Sequence, residues 1–292
     1  MSELQITKSK NQVILFGYDY YFSLFKNMYL KKKLPNAILL SGQKGSGKCT
    51  FAYHFINFLL SQNEKYSYSI EKYSINLNNN SYIKLCDNTH SNFFLLEKDT
   101  LNNVIKIESI RNTLKFLNKT TYSSNIKIIL IDGAEYLNKN SSNALLKALE
   151  EVDHQTFFFI IHNNSYQILS TIKSRCIEFK LFFKLEEKKA VLNKILNFYN
   201  NNFNINVHES FLFFETPGNI IKYLAYFEDA NFNFIDDKIL AIKYLFSKYK
   251  SNKDNEIFPI VSSLIELFYN ELAIKNIKYV NLYFNNKIRM LK

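Results

Sequence analysis

The stretch Ala37–Lys48, AILLSGQKGSGK, constrains the fold more than any other part of the chain. Ala37–Ser41 has strand character and Thr50–Leu60 continues as a helix. Between them Gly42, Gly47 and Lys48 complete the pattern G-x-x-x-x-G-K, with a further glycine at Gly45. The glycines let backbone N–H groups converge on phosphate, and the helix N-terminus adds the positive end of its dipole. Lys48 is placed to reach terminal phosphates. The next residue of this pattern is ordinarily Ser or Thr, whose hydroxyl holds magnesium. Here it is Cys49, and a thiol is a poor ligand for that hard cation. Thr50 carries a hydroxyl but points about 100° further round the helix. The loop predicts a phosphate-binding ancestry, while Cys49 argues against magnesium-dependent hydrolysis.

A second strand–helix unit lies at Ile126–Glu151, IKIILIDGAEYLNKNSSNALLKALEE. Ile128–Ile131 is a nearly continuous apolar run, as in a parallel strand buried on both faces. It ends in Asp132, where a nucleotide-binding sheet presents an acid to metal. In the helix that follows, Ala144, Leu145, Ala148 and Leu149 form the packed face, opposite Lys147, Glu150 and Glu151.

The chain has 292 residues, 47% of them apolar, which is enough for two or three domains with real cores. A formal charge of +11 suggests acidic partners, nucleic acid first, although a lysine-rich codon bias gives the same number. The three cysteines, Cys49, Cys86 and Cys176, lie far apart and suggest neither a metal site nor a disulfide framework. The N-terminus has no apolar signal segment and no run approaches membrane-spanning length, so the expectation is a cytoplasmic protein without membrane contact.

Periodicity predicts further helices at Tyr18–Leu30, Ile107–Leu117, Leu185–Tyr199 and Pro217–Phe227, and strands at Phe93–Leu96 and Thr156–Ile161. His162 and Asn163 follow the last strand, a common place for polar sensing groups. Ser61–Ser81 is Asn- and Tyr-rich and reads as a long loop or frayed insertion. From Asp236 onward the expectation is three to four helices, interrupted near Lys250–Asn255 and at Pro259. Ser174-Arg175-Cys176 precedes a strand-like IEF; Arg175 is either an ordinary surface charge or an arginine presented to a neighbour's phosphate. Cys176 reads as a small buried thiol.

These motifs, in order, resemble the AAA+ clamp-loader subunits of bacterial DNA polymerase III, and among them the delta-prime type. The resemblance runs through LPNAILLSGQKGSGK, HSNFFLLE, IESIRNTLKFL, IILIDGAEYLN, SSNALLKALEE, LSTIKSRC and TPGN, covering about residues 12–227. It implies an α/β P-loop domain with a parallel sheet (1–180), a small helical lid (181–229) and a helical C-terminal collar (230–292). It also implies partners: the gamma/tau motor subunits and the delta subunit, and indirectly the sliding clamp and primer-template DNA.

Relatives often carry a four-cysteine zinc module after the P-loop helix; only Cys86 stands in that region, so no zinc is expected. Motor subunits place a carboxylate directly after the metal-binding Asp, where this chain has Gly133, with Glu135 displaced by two positions. They place an arginine after the proline-glycine of the lid, where this chain has Asn219. With Cys49, three hydrolytic positions depart from the pattern, while Arg175 is retained. The resemblance thus implies a non-motor scaffold with a degenerate ATP site at Gly42, Gly45, Gly47, Lys48, Cys49, Thr50 and Asp132. Such a subunit needs no cofactor, would bind ATP weakly at most, and offers Arg175 in trans to a neighbouring ATP site. The alternative is an active gamma/tau-type ATPase, supported by Lys48 and Asp132 and opposed by Cys49, Gly133 and Asn219.

Overall fold

The computed structural model describes residues 8–99, 103–118, 126–150, 152–199, 209–228, 230 and 233–290. Glu151 therefore lies outside the described residues. The chain divides into two compact units, Thr7–Phe183 and the helical Lys184–Lys292.

In the first unit the chain runs α1 (Asp19–Leu30), β1 (Ala37–Gly42), α2 (Lys48–Leu60), α3 (Asn80–Cys86), β2 (Phe93–Glu97) and α4 (Ile107–Leu117). It continues through β3 (Lys127–Asp132), α5 (Lys139–Glu150), β4 (Thr156–Asn163), α6 (Ser170–Lys173) and β5 (Ile177–Lys180). The five strands form one parallel sheet in the order β2-β3-β4-β1-β5. This is the expected α/β P-loop architecture.

Strand alternation divides the core in two. Ile38, Leu40, Ile128, Leu130, Phe157, Phe159 and Ile161 face one layer, with Phe22 and Phe25 of α1 and Phe51, Phe55 and Ile56 of α2. Leu39, Ile129, Ile131, Phe158 and Ile160 face the other, with Ile110 of α4 and Leu145, Ala148 and Leu149 of α5. Aromatic rings fill the first layer edge to face: Phe22 and Phe55 lie 5.5 Å apart, Phe25 and Phe51 5.2 Å.

β1 and β4 run further than the apolar pattern indicates. Gly42 pairs with Asn163 and Ser41 with His162, because ladder pairing is a backbone property that polar side chains do not interrupt. The segment 61–81 is not a frayed insertion. Tyr68 and Ile75 are buried. Glu64 accepts hydrogen bonds from the N–H groups of Asn80 and Ser81 at 2.9 and 3.0 Å, capping α3. Asn79 accepts from Tyr82 N–H at 2.6 Å and from the Asn57 amide at 2.9 Å. His54, held neutral by burial with its pKa lowered to about 4, bridges Tyr68 and the Gln12 carbonyl at 3.0 and 3.1 Å. Among the described residues no group of three His, Cys, Asp or Glu side chains could hold a metal.

The helical unit comprises α7 (Leu185–Phe198), α8 (Glu209–Phe214), α9 (Pro217–Tyr226), α10 (Lys238–Asn252), α11 (Ile257–Lys275) and α12 (Val280–Met290). One apolar cluster runs from Leu192 of α7 through Phe211, Tyr223 and Leu245 to Leu267 of α11, drawing on both the 181–229 and the 230–292 segments. The break between α10 and α11 falls at Lys253, in the left-handed region, as the sequence indicated. Pro259 is no interruption: it stands in the first turn of α11, where a missing N–H costs nothing. The expectation that no run approaches membrane-spanning length also needs correction. α11 has 19 residues and is apolar enough to cross a membrane. Its stripe of Ile257, Ile260, Val261, Leu264 and Leu267 is instead packed into the helical core.

Phe159 is fully buried on the central strand β4. Phe159→Ala should cost roughly 3–5 kcal/mol, read as a lower urea midpoint for the sheet unit by circular dichroism.

Candidate functional site: the loop after β1 and the two edges of the sheet

The loop between β1 and α2 has the backbone its sequence requires. Gly45 and Gly47 take φ of 78° and 90°, left-handed values that favour glycine. Gly42 is needed for a different reason: a Cβ there would lie 2.3 Å from the Leu181 carbonyl oxygen, which crosses beside it. The buried Tyr18 hydroxyl donates to the Ser46 carbonyl at 2.6 Å and fixes the loop from α1. The Ser46 hydroxyl is itself buried, with no hydrogen-bond partner among the described residues. Gly45 and Gly47 thus hold the left-handed backbone that a phosphate-binding loop needs.

Lys48 lies back across this loop, donating to the carbonyls of Gly42 and Gln43 at 2.9 and 2.6 Å. Burial lowers its pKa to about 8, against the opposing pull of Glu135 and Asp132. A phosphate would compete with those two carbonyls for the amine.

The magnesium position is occupied by the chain's own chemistry. The Cys49 thiol donates to Asp132 Oδ2 at 3.4 Å. Burial first, and Asp132 second, push the thiol well above its usual range. Burial also raises Asp132, aided by Glu97 and Glu135 and opposed by the Cys49 bond and Lys48. A neutral thiol hydrogen-bonded to the acid is not a magnesium site. Thr50 makes no polar side-chain contact with Asp132 among the described residues. The residues present thus fit a phosphate group and do not fit its usual metal.

The neighbouring positions deepen the contrast. Gly133 has φ of 92°, and a Cβ there would lie 2.4 Å from the Tyr136 ring. No side chain fits that position without moving Tyr136. Glu135, two residues on, accepts from the Asn163 N–H at 3.2 Å and is thereby tied to the end of β4. His162 contacts the Tyr166 carbonyl at 3.0 Å. In the helical unit Asn219 donates to Glu215 Oε2 at 2.9 Å. Glu215 also accepts from Tyr223 at 3.0 Å and from Ser263.

Arg175 stands elsewhere. It precedes β5, whose first residue Ile177 pairs with Ile38 near the start of β1, whereas the phosphate loop leaves β1 at Gly42. Four strand residues separate those levels, about 13 Å at ~3.3 Å per residue. The arginine thus lies at the edge where the strands begin and the loop at the edge where they end. Its partner is not Glu178, the nearest acid in sequence: Glu178 takes the Ser41 hydroxyl at 2.7 Å and pairs with Lys173 at 3.0 Å. The partner is Glu150, at the end of α5, which accepts from Arg175 Nε at 2.7 Å and also from Nη2. Nothing in local sequence marks that pair. Cys176 is half-buried and burial raises its pKa to about 11, as for an inert thiol. Arg111 is exposed on α4.

Sheet order, loop and acid together define an α/β P-loop domain of the AAA+ type followed by a helical unit. A family model described as "DNA polymerase III, delta subunit" matches residues 18–184, and the chain belongs to that clamp-loader family. It is 30% identical over 165 residues to DNA polymerase III subunit delta' of Pseudomonas aeruginosa, covering 55% of this chain and 47% of that one. It is 31% identical over 172 residues to subunit delta' of Buchnera aphidicola subsp. Schizaphis graminum, covering 58% and 49%. It is 32% identical over 175 residues to subunit gamma of the same organism, covering 59% and 45%. The chain spans about half the length of these curated relatives.

Gly133→Glu should not create a water-orienting acid. It should instead lower the urea midpoint, at a cost of roughly 1–3 kcal/mol for a non-glycine residue held at positive φ, and leave the isolated chain without ATP turnover in a phosphate-release assay.

Proposed function

We propose that the chain is a delta'-type, non-motor subunit of a DNA polymerase III clamp loader, acting in the cytoplasm. In this reading it assembles with gamma/tau-type motor subunits and a delta subunit, and supplies Arg175 to a neighbour's ATP during sliding-clamp loading. The observation that carries the reading is the placement of Arg175 at the sheet edge opposite its own phosphate loop. An arginine there cannot serve the nucleotide of its own domain but is exposed to serve another. Its planar, permanent charge stabilises the charge that develops on transferred phosphoryl oxygens. The Cys49–Asp132 bond and the closed position at Gly133 support the same reading, since a subunit that only completes a neighbour's site needs neither magnesium nor an oriented water of its own. The lid (181–229) and collar (230–292) remain the proposed division of the helical part.

Reconstituted rings test this. Arg175→Ala should leave folding and ring size, by light scattering, unchanged. DNA- and clamp-stimulated ATP hydrolysis and clamp loading should fall severalfold. That is less than the roughly 10³–10⁵ an arginine finger contributes at a single site, because the ring has other sites. Arg175→Lys should recover only part, since an ammonium lacks the planar fork. Wild-type hydrolysis by the Arg175→Ala ring would remove the trans role. Strong magnesium-dependent turnover by the isolated chain, abolished by Lys48→Ala, would favour a gamma/tau-type motor instead.

Nucleotide binding by the isolated chain should be weak and insensitive to magnesium. Cys49→Ser, which restores a hard oxygen ligand, should make it magnesium-dependent and tighter by about tenfold, or ~1.4 kcal/mol, in calorimetric titrations with and without the metal.

A further inference from the structure

Arg175 is held in a way that leaves two of its five N–H groups without an acceptor among the described residues. A guanidinium has five N–H groups in a fixed plane. The Nε–H and the N–H of Nη2 beside it form one lateral edge, and both go to Glu150 Oε1. Nη1 donates to the Thr171 carbonyl at 3.1 Å, back along the arginine's own turn. That carbonyl is also fixed by the Ser174 hydroxyl at 3.1 Å. One N–H on each of Nη1 and Nη2 remains. The described residues offer no acceptor for this pair, and the arginine is exposed. Two remaining N–H groups on the terminal nitrogens of a planar cation are suited to the oxygens of a phosphate.

Stability does not account for the Glu150 contact. Exposed ion pairs contribute roughly 0–1 kcal/mol, and this one is open to solvent on both sides. Glu150 is also the last residue of α5, where the helix dipole disfavours an acid. What the contact does supply is orientation: without it, a long side chain anchored by one carbonyl sweeps a wide arc.

We infer that Glu150 is a positioning residue for Arg175, turning the terminal edge of the guanidinium toward a phosphate on the adjacent subunit. This rests on the trans reading of Arg175 given above. Glu150 touches no substrate and acts only through the arginine. Its contribution therefore belongs to the transition state the arginine stabilises, and appears in kcat rather than in KM for ATP.

The experiment is a double-mutant cycle on reconstituted rings carrying wild-type chain, Glu150→Ala, Arg175→Ala or both, with stimulated ATP hydrolysis measured across ATP concentration. Glu150→Ala should lower kcat by roughly twofold or more but by less than Arg175→Ala, because it misplaces the arginine without removing it, with KM essentially unchanged. Glu150→Gln, which still accepts one N–H, should recover part of the loss. In the Arg175→Ala background, Glu150→Ala should change nothing further. A Glu150→Ala ring that works at the wild-type rate, or faster, overturns the inference, as does a loss that adds to that of Arg175→Ala. Those results leave the trans role standing as long as Arg175→Ala alone is slow. If Arg175→Ala is itself fully active, the reading beneath falls and this inference with it.

Discussion

Two-sided burial of the parallel sheet is the constraint on which the rest of the structure depends. β1, β3 and β4 have helices on both faces, so their side chains are apolar almost without a break. Strands of this kind cannot slip, because a shift by one residue exchanges two differently shaped cores. The fixed register sets the levels of everything attached to the strand ends. It places the loop after Gly42 beside Asp132 and Asn163, and places Ser174-Arg175-Cys176 at the opposite edge. The chemistry of the domain follows from which polar residues the strands deliver to each edge.

At the loop edge, the chain's own groups answer each other. Lys48 rests on two loop carbonyls, Cys49 on Asp132, and Glu135 on a backbone N–H. Tyr18 steadies the turn from outside through the Ser46 carbonyl. These contacts leave the Ser46 hydroxyl and the left-handed glycines as the part still shaped for a phosphate. The opposite edge shows the reverse economy of contacts: one carboxylate and one carbonyl orient an arginine that remains open to solvent.

Much of this was legible in the sequence because periodicity records burial. The helical period over Ile107–Leu117 coincides with α4, which buries one recurrent face, and apolar runs mark the strands. The loop was legible because few sequences place glycines and a lysine between a strand and a helix. What escaped was polar and long-range. Glu64 caps a helix sixteen residues away, and Glu150 meets Arg175 twenty-five residues on; neither leaves a periodic trace. Pro259 read as a break because proline stops helices and also starts them, and only the backbone distinguishes the two. The sequence supplied the identity of Gly133 but not the Tyr136 ring that closes over it.

The contact between Asn219 and Glu215 bears on how such a subunit can change over time. Glu215 is buried and already serves Tyr223 and Ser263 as well as the Asn219 amide. An arginine arriving at position 219 would meet that carboxylate first, and a charge pair at short range in a poorly hydrated place is hard to part. The guanidinium would be captured locally instead of reaching for a nucleotide. A lone Asn219→Arg substitution is thus neutralised by the neighbouring carboxylate. An arginine free to reach outward from position 219 would need Glu215 to change first, at the expense of the Tyr223 and Ser263 bonds. Glu215 thus acts as a latch on position 219: one shared carboxylate limits what four residues of the helical unit can become.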